Sequence, residues 1–376
     1  MLRVVSKGAT SLSDQTPFVL IDVTRMDRNI LVMAEIAGRN VVSLRPHVKI
    51  HKIPAIARKQ VEVGATGITV AKVSEAEIMA DGGLDDIFIA YPVETEAKIR
   101  RAILLNEQVR LILGVDSLEG ARMLSSVARG EGIAVEVRLE VDTGLKRTGV
   151  RPQEAVELAG EISKLGNLDL TGIYTHRGVV LENEVMTLDL EKAGYQEGEL
   201  MVSLANQMRE SGIKLDDVSL GSTPTAKYAA EVEGVTEIRP GTYVFYDRMQ
   251  AKLGACSLED CATRVLATVV SRPTSGLATI DGRSKTFATD VQPGKEPLGL
   301  EGFGRIIGHP RAVLERLTEE HGMLALDEAD DLGVGDTVEI VPNHVCSTVN
   351  LHDDVYLHSA DDSIQKVRVA ARGRVW

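Results

Sequence analysis

Eight short, apolar, β-branched segments between residues 40 and 247 constrain the fold of this chain more than any other feature. They are NVVSLRPHV (40–48), GITVAKV (67–73), DIFIAYP (86–92), RLILGVD (110–116), VEVRLEVD (135–142), LTGIYTH (170–176), DVSLGST (217–223) and TYVFYD (242–247). Most are separated by stretches with apolar residues at three- and four-residue spacing, such as VETEAKIRRAILLNE (93–107) and SLEGARMLSSVARGE (117–131), which is a helical pattern. Strands that alternate with helices pair in parallel, because a parallel connection needs a long crossover. Such units, repeated as here, close a (β/α)8 TIM barrel, whose reactive side chains sit at the carboxyl ends of the strands. The sequence places Lys49, Asp142 to Arg147, His176, Ser222, Thr223 and Asp247 there.

Past about residue 250 the pattern changes to short strands without long helices: TRVLATVVSRP (263–273), LATIDG (277–282), GDTVEIVPNHV (335–345) and QKVRVAARGRVW (365–376). This predicts a mostly antiparallel β domain. The expected division is a barrel over 24–250 and a β domain over 251–376 together with 1–23, and the strand FVLIDV (18–23) suits either. The glycine-rich PGKEPLGLEGFGR (293–305) reads as a loop, not as a phosphate site. A chain of 376 residues accommodates both domains.

The formal net charge of −13 argues against nucleic-acid or anionic-membrane partners, which select clustered Lys and Arg. No apolar run approaches the roughly 18 residues of a membrane span. The start MLRVVSKGATSLSDQ lacks the apolar core of a signal peptide, so a soluble, cytoplasmic protein is expected. Cys256, Cys261 and Cys346 are too few for a disulfide framework and fit a reducing compartment.

The run LRPHVKIHK (44–52) sets two lysines and two histidines at the end of an apolar stretch. Desolvation and adjacent cations both lower an ammonium pKa, and a neutral amine attacks a carbonyl carbon. Lys49 or Lys52 is therefore a candidate covalent anchor, or else a strand ends in a basic turn. The turn LGSTPT (220–225) puts a small residue and hydroxyls at a strand end, as a phosphate cradle or a helix cap. EIRPGTY (237–243) supplies Gly241, whose amide can approach a phosphate closely, and Arg239, a partner for a ring nitrogen or a surface cation. In EVDTGLKRTGV (140–150), Arg147 suits a phenolic oxygen or a carboxylate, unless it pairs with Asp142.

PNHVCSTVNLHDD (342–354) sets His344 and Cys346 one residue apart. In an extended segment residues i and i+2 share a face, so imidazole and thiolate can bind one metal, and their softness selects zinc over magnesium. The alternative is a buried cysteine beside a surface histidine. Two protein ligands leave positions for water or substrate, as in a catalytic site. CSLEDC, with Cys256 and Cys261, has no neighbouring histidine and reads as core or surface thiols.

Together these motifs resemble the fold-type III pyridoxal-phosphate enzymes, in which an alanine-racemase-like barrel is followed by a β domain. The DTG…R…G segment, GIYTH and IRPG are similar to pieces of that superfamily. RPHVKIHK, GSTPT, PGTYVFYD and PNHVCSTVNL resemble more closely the metal-dependent D-serine dehydratase and D-threonine aldolase group, over almost the whole chain. The resemblance implies that Lys49 forms the covalent link to pyridoxal 5'-phosphate, with Lys52 a supporting cation. It implies that Ser222, Thr223, Gly241 and Thr242 cradle the phosphate, and that Arg147 and Arg239 also bind the cofactor. Tyr174 and His176 would face its ring and complete the catalytic set with Lys49, while zinc would sit on His344 and Cys346.

His-x-Cys resembles the dehydratase form of the metal pair and His-x-Asp the aldolase form, although the STVNL that follows resembles both. The activity implied is β-elimination of water from a D-β-hydroxy amino acid, D-serine or D-threo-3-hydroxyaspartate, to a 2-keto acid and ammonia. Retro-aldol cleavage of the D-threonine type is the alternative. Arg177 either receives a second substrate carboxylate or faces solvent. Nothing matches the β-domain tyrosine of alanine racemase, which disfavours racemisation. The β domain with its metal motif disfavours a cofactor-binding regulatory protein without rapid turnover. The resemblance also implies a homodimer, with the β domain of one subunit near the barrel mouth of the other.

Overall fold

The computed structural model describes residues 15–179, 186–327 and 329–376. The segment MLRVVSKGATSLSDQ, read above for a signal peptide, lies outside them apart from Gln15. The chain forms two units, one of Leu31–Gly241 with Gly373–Trp376, the other of the chain up to Ile30 with Thr242–Arg372.

The elements begin with β1 (Phe18–Asp22), α1 (Val23–Arg39), β2 (Ser43–Leu44), α2 (Pro54–Glu62), β3 (Ile68–Val70), α3 (Val73–Asp81), β4 (Asp86–Pro92), α4 (Glu96–Asn106) and β5 (Arg110–Val115). Next come α5 (Leu118–Glu131), β6 (Val135–Glu140), α6 (Pro152–Ile162), β7 (Leu168–Tyr174), α7 (Leu190–Glu210), β8 (Asp217–Leu220), α8 (Ala226–Ala229) and β9 (Glu237–Ile238). The last are α9 (Arg248–Leu253), β10 (Thr263–Thr274), β11 (Leu277–Ile280), β12 (Gly304–Ile306), β13 (Val313–Leu317), β14 (Gly322–Ala325), β15 (Thr337–Pro342), α10 (Val345–Asn350), β16 (Asp354–His358) and β17 (Ile364–Arg368).

In the first unit eight parallel strands run in the order β2-β9-β8-β7-β6-β5-β4-β3. The end strands meet where His47, just past β2, bridges Thr69 of β3 in parallel. The Thr69 amide donates to the Pro46 carbonyl there (2.8 Å). The expected (β/α)8 barrel is present, with one strand reassigned. Its eighth strand is Glu237–Ile238, not TYVFYD. Pro240 has no N–H with which to continue a ladder, and Thr242–Val244 form a single 3-10 turn in the other unit, with Tyr243, Val244 and Phe245 buried. Aromatic and β-branched residues mark burial as readily as they mark a strand.

The barrel interior holds a charged layer. On β6 the apolar Val135, Val137 and Leu139 alternate with Glu136, Arg138 and Glu140, as the two-residue period of a strand requires. Glu237, 2 % exposed, accepts from Arg45 Nε (2.7 Å), Arg138 Nη1 (2.6 Å) and Ser219 Oγ (2.6 Å). Arg45 also binds Asp86 (2.5 Å), and Arg138 binds Asp217 (2.7 Å).

The second unit is built on a nine-stranded sheet ordered β11-β14-β13-β12-β15-β10-β1-β16-β17. It is mostly antiparallel, as expected, and β1 pairs in parallel with β16. FVLIDV thus supplies an inner strand, with Phe18 and Leu20 packed on Leu266 and Tyr356. The glycine-rich stretch turns irregularly until Gly304 enters β12. Among the described residues no helix is long and apolar enough to cross a membrane.

Candidate active site

Three turns at the carboxyl ends of β2, β8 and β9 are joined by hydrogen bonds. The His47 amide donates to the Pro240 carbonyl (3.0 Å), and the Gly241 amide to Thr223 Oγ1 (3.2 Å). A Cβ on Gly241 would lie 2.9 Å from the His47 carbonyl oxygen, so the approach of these two turns excludes a side chain. Lys49 sits on the 3-10 turn Val48–Ile50, where its amide donates to His47 Nδ1 (3.4 Å). The structure therefore brings Lys49, Ser222, Thr223 and Gly241 to one end of the barrel.

Cations collect around them. Burial, then the charge of Lys49, then those of Arg147 and Arg239, hold the His176 imidazole well below its ordinary pKa. His47 is held down in the same way, by burial first and Lys49 second. Both imidazoles stay neutral beside a lysine and two arginines. Arg239 is buried rather than a surface cation. Its Nε donates to Ser219 Oγ (2.8 Å), its Nη2 to the Thr175 carbonyl, and its guanidinium lies over the Tyr174 ring, 5.2 Å from the centroid. Arg147 is exposed on its loop, whose Asp142 accepts the amides of Gly144 and Lys146 (3.0 Å each). Tyr174 is enclosed in the barrel and donates to Glu140 (3.0 Å). Burial and the Glu140 charge keep it a neutral phenol. Arg177 does not face solvent, being fully buried, and its amide donates to Glu197 Oε1 (3.0 Å).

Lys52 is almost fully buried in the left-handed region (φ 55°), a conformation that surrounding structure must impose on a lysine. Glu75, which the sequence reading missed, is fully buried nearby. Burial raises its carboxyl pKa against the Ala71 amide (3.0 Å) and the charges of Lys52 and Lys49. Glu75, one of two glutamates in the mostly apolar VSEAEIMA, was the available signal.

In the second unit His344 precedes α10 in extended geometry (φ −135°, ψ 109°), while Cys346 is already helical. The pair is therefore not the extended one expected. The two side chains still interact: burial disfavours the His344 imidazolium, but Cys346, Asp290 and Asp247 outweigh it and push the group up to about 11. Surroundings that favour a proton this strongly favour a bound cation for the same reason. His344 Nδ1 pairs with Asp290 (2.5 Å), leaving Nε2 for a metal.

Asp247 lies here and not at a barrel strand end. It is fully buried, caps α9 through the Gln250 amide (2.9 Å), and accepts the amide of Val345 (3.0 Å), the residue between His344 and Cys346. Burial pushes Asp247 up to about 6. Thr242 Oγ1 lies 3.9 Å from Cys346 Sγ. Among the described residues no group of three or more His, Cys, Asp or Glu is placed to hold a metal. Asp290 was not legible, since it lies 54 residues from His344 in sequence. Cys256 and Cys261 are free thiols, the first half-buried and the second buried.

The excluded Cβ at Gly241, the clustered hydroxyls and the cations beside Lys49 fit a phosphorylated, anionic aldehyde. The carboxylate-backed imidazole and the soft sulfur fit a metal. A parallel barrel with such a lysine, in a chain that continues into a β sheet bearing a His-x-Cys pair, defines the class of two-domain, alanine-racemase-like pyridoxal-phosphate enzymes. The family described as alanine racemase, N-terminal domain, matches residues 21–249, and that described as putative serine dehydratase domain matches residues 262–358. The chain belongs to the family that joins these two domains.

It is 33% identical over 371 residues to the D-threo-3-hydroxyaspartate dehydratase of Delftia sp. (strain HT23), covering 95% of this chain and 97% of that one. It is 30% identical over 366 residues to the D-threonine aldolase of Arthrobacter sp., covering 95% and 93%. A D-threo-3-hydroxyaspartate dehydratase solved as a cysteine-to-alanine mutant in the metal-free form is 33% identical, with a TM-score of 0.87 over 96% of this chain and 98% of that one. Dehydratases and aldolases are lyases, and the chain is a lyase.

Proposed function

We propose that this lyase uses pyridoxal 5'-phosphate and zinc to eliminate water from a D-β-hydroxy amino acid, D-serine or D-threo-3-hydroxyaspartate, to a 2-keto acid and ammonia. The observation that carries the reading is Lys49 among three joined strand-end turns, ringed by Arg147, Arg239 and two neutral imidazoles. Bound pyridoxal phosphate supplies an electron sink for charge developing at Cα, and bound zinc a Lewis acid for the β-oxygen, worth several kcal/mol. The chain's own residues do the rest. Ser222, Thr223 and Gly241 would hold the phosphate, and Arg147 and Arg239 would hold the ring. Lys49 Nζ would take the proton from Cα once the substrate has displaced it from the cofactor. His176, kept neutral, is a second group able to accept or return a proton.

His344 and Cys346 hold the metal, with Asp290 orienting the imidazole and Asp247 fixing the backbone between the two ligands. The protein would work as a homodimer in the cytoplasm.

Incubation with D-serine, D-threonine and D-threo-3-hydroxyaspartate tests the reading. Keto acid and ammonia are expected from the first and third. Glycine and an aldehyde in their place would overturn elimination in favour of retro-aldol cleavage, the second reading, which the likeness to the Arthrobacter aldolase favours. Chelation should abolish turnover while the visible absorbance of bound cofactor survives. If the absorbance is lost as well, the metal holds the cofactor instead of activating the substrate.

A further inference from the structure

Helix α7 approaches the turn after β8 more closely than side chains ordinarily allow. A Cβ on Gly194 would lie 2.7 Å from Tyr228 Cβ and 2.9 Å from the Thr225 carbonyl oxygen, and one on Gly198 would lie 2.6 Å from Val232 Cγ2. Gly194, Glu197 and Gly198 stand at i, i+3 and i+4, which is one face of a helix. The two glycines let that face close in, and they carry Glu197 with it, fully buried.

Glu197 touches two strand ends at once. Its Oε1 accepts the amide of Arg177, the residue after His176 (3.0 Å), and its Oε2 accepts from Thr225 Oγ1 (3.4 Å). Thr225 Oγ1 in turn accepts the Ser222 amide (3.1 Å) and shares a hydrogen bond with Ser222 Oγ (2.9 Å). The charges of Arg177 and Arg239 face the carboxyl group. A buried carboxyl group is costly without such partners, so its placement demands a compensating use. The proposed mechanism gives it none.

We propose that Glu197 is a positioning residue for the phosphate end of the cofactor. It acts through Thr225 to hold the backbone of the turn that carries Ser222 and Thr223, and it ties that turn to the strand end bearing His176. The inference rests on the reading of the chain as a pyridoxal-phosphate enzyme.

The test titrates the apo protein with pyridoxal phosphate and, separately, with pyridoxal, which lacks the phosphate, following binding by absorbance. Glu197→Ala should weaken pyridoxal phosphate about ten- to hundredfold, the scale of a lost hydrogen bond to a buried group, and leave pyridoxal within about twofold. Glu197→Gln keeps an acceptor for the Arg177 amide and offers Thr225 an N–H donor in place of the carboxylate acceptor, with the threonine hydroxyl then donating to Ser222 Oγ, and should stay within about threefold of wild type. Thr225→Val breaks the same link without removing the carboxyl group, and should reproduce the phosphate-selective loss even where Glu197→Ala does not fold. Equal weakening of both ligands in the Ala and Val variants, or no weakening of pyridoxal phosphate, would overturn the proposal and leave Glu197 a packing residue. Wild-type protein that bound neither ligand would instead overturn the cofactor reading and the proposal with it.

Discussion

In a Lys49→Ala protein, turnover of D-β-hydroxy amino acids should fall by on the order of 10⁴-fold or more, and the visible absorbance of the lysine-linked cofactor should disappear. On the proposed function the substitution would take away both the covalent link and the proton carrier, so the effect should exceed that of losing one hydrogen bond. A second result follows from the electrostatics. The Lys49 charge is, after burial, the strongest influence keeping the His176 and His47 imidazoles neutral. Without it both pKa values rise toward the ordinary range, which histidine resonances followed by NMR against pH would show in the apo protein. The single turn Val48–Ile50 that carries Lys49 is held by backbone hydrogen bonds, so the apo fold should persist. Absorbance that survived in Lys49→Ala would move the anchor to Lys52. Unshifted imidazoles would mean that the Lys49 ammonium does not reach them.

Most of the barrel was legible because its strands are buried on both faces and so read as apolar runs bounded by helical spacing. The eighth strand was not. Glu237 and Ile238 are only two residues, one of them charged, whereas TYVFYD has the composition of a strand and the conformation of a buried turn. The charged layer was hidden for a related reason. Arg45, Arg138 and Glu237 each look like surface residues in sequence, and their partners lie 192 and 99 positions apart. At the site, the groups within one turn were legible, as with Lys49 in LRPHVKIHK and Ser222 and Thr223 in LGSTPT. The groups that tune them, Glu75 and Glu197, were not, because each comes from a different element; nor, in the other unit, was Asp290, which meets His344 from 54 positions away. The spacing of His344 and Cys346 was readable, but their conformation was not, since Asp247, 98 positions before Val345, fixes where α10 begins.

Glu237→Ala should be the most destabilising single change in the barrel, by about 3–5 kcal/mol, because it leaves two buried guanidinium groups without their shared carboxylate. For a unit of this size that lowers the melting temperature by roughly 10 °C or more. Acid acts on the same group with a predictable sign. Burial alone would raise the Glu237 pKa, but Arg138 and Arg45, with the Ser219 hydroxyl, hold it down to about 2. A carboxyl group depressed in the folded state contributes its stability above its unfolded pKa and loses it as pH falls toward the folded value. Wild-type protein should therefore lose roughly 3 kcal/mol of stability between about pH 4.5 and pH 2 through this group. Glu237→Ala should lack that part of the acid dependence. Urea unfolding at neutral pH and again in acid measures both effects, and a variant that melts with wild-type protein and keeps its acid profile would show that the layer carries no net stability. The consequence also reaches the mouth of the barrel. Ser219 Oγ donates to Glu237 and accepts from Arg239 Nε, so loss of the carboxylate frees that hydroxyl to turn away. Arg239 then loses the contact that orients it, and in any Glu237→Ala protein that still folds, cofactor affinity should fall together with stability.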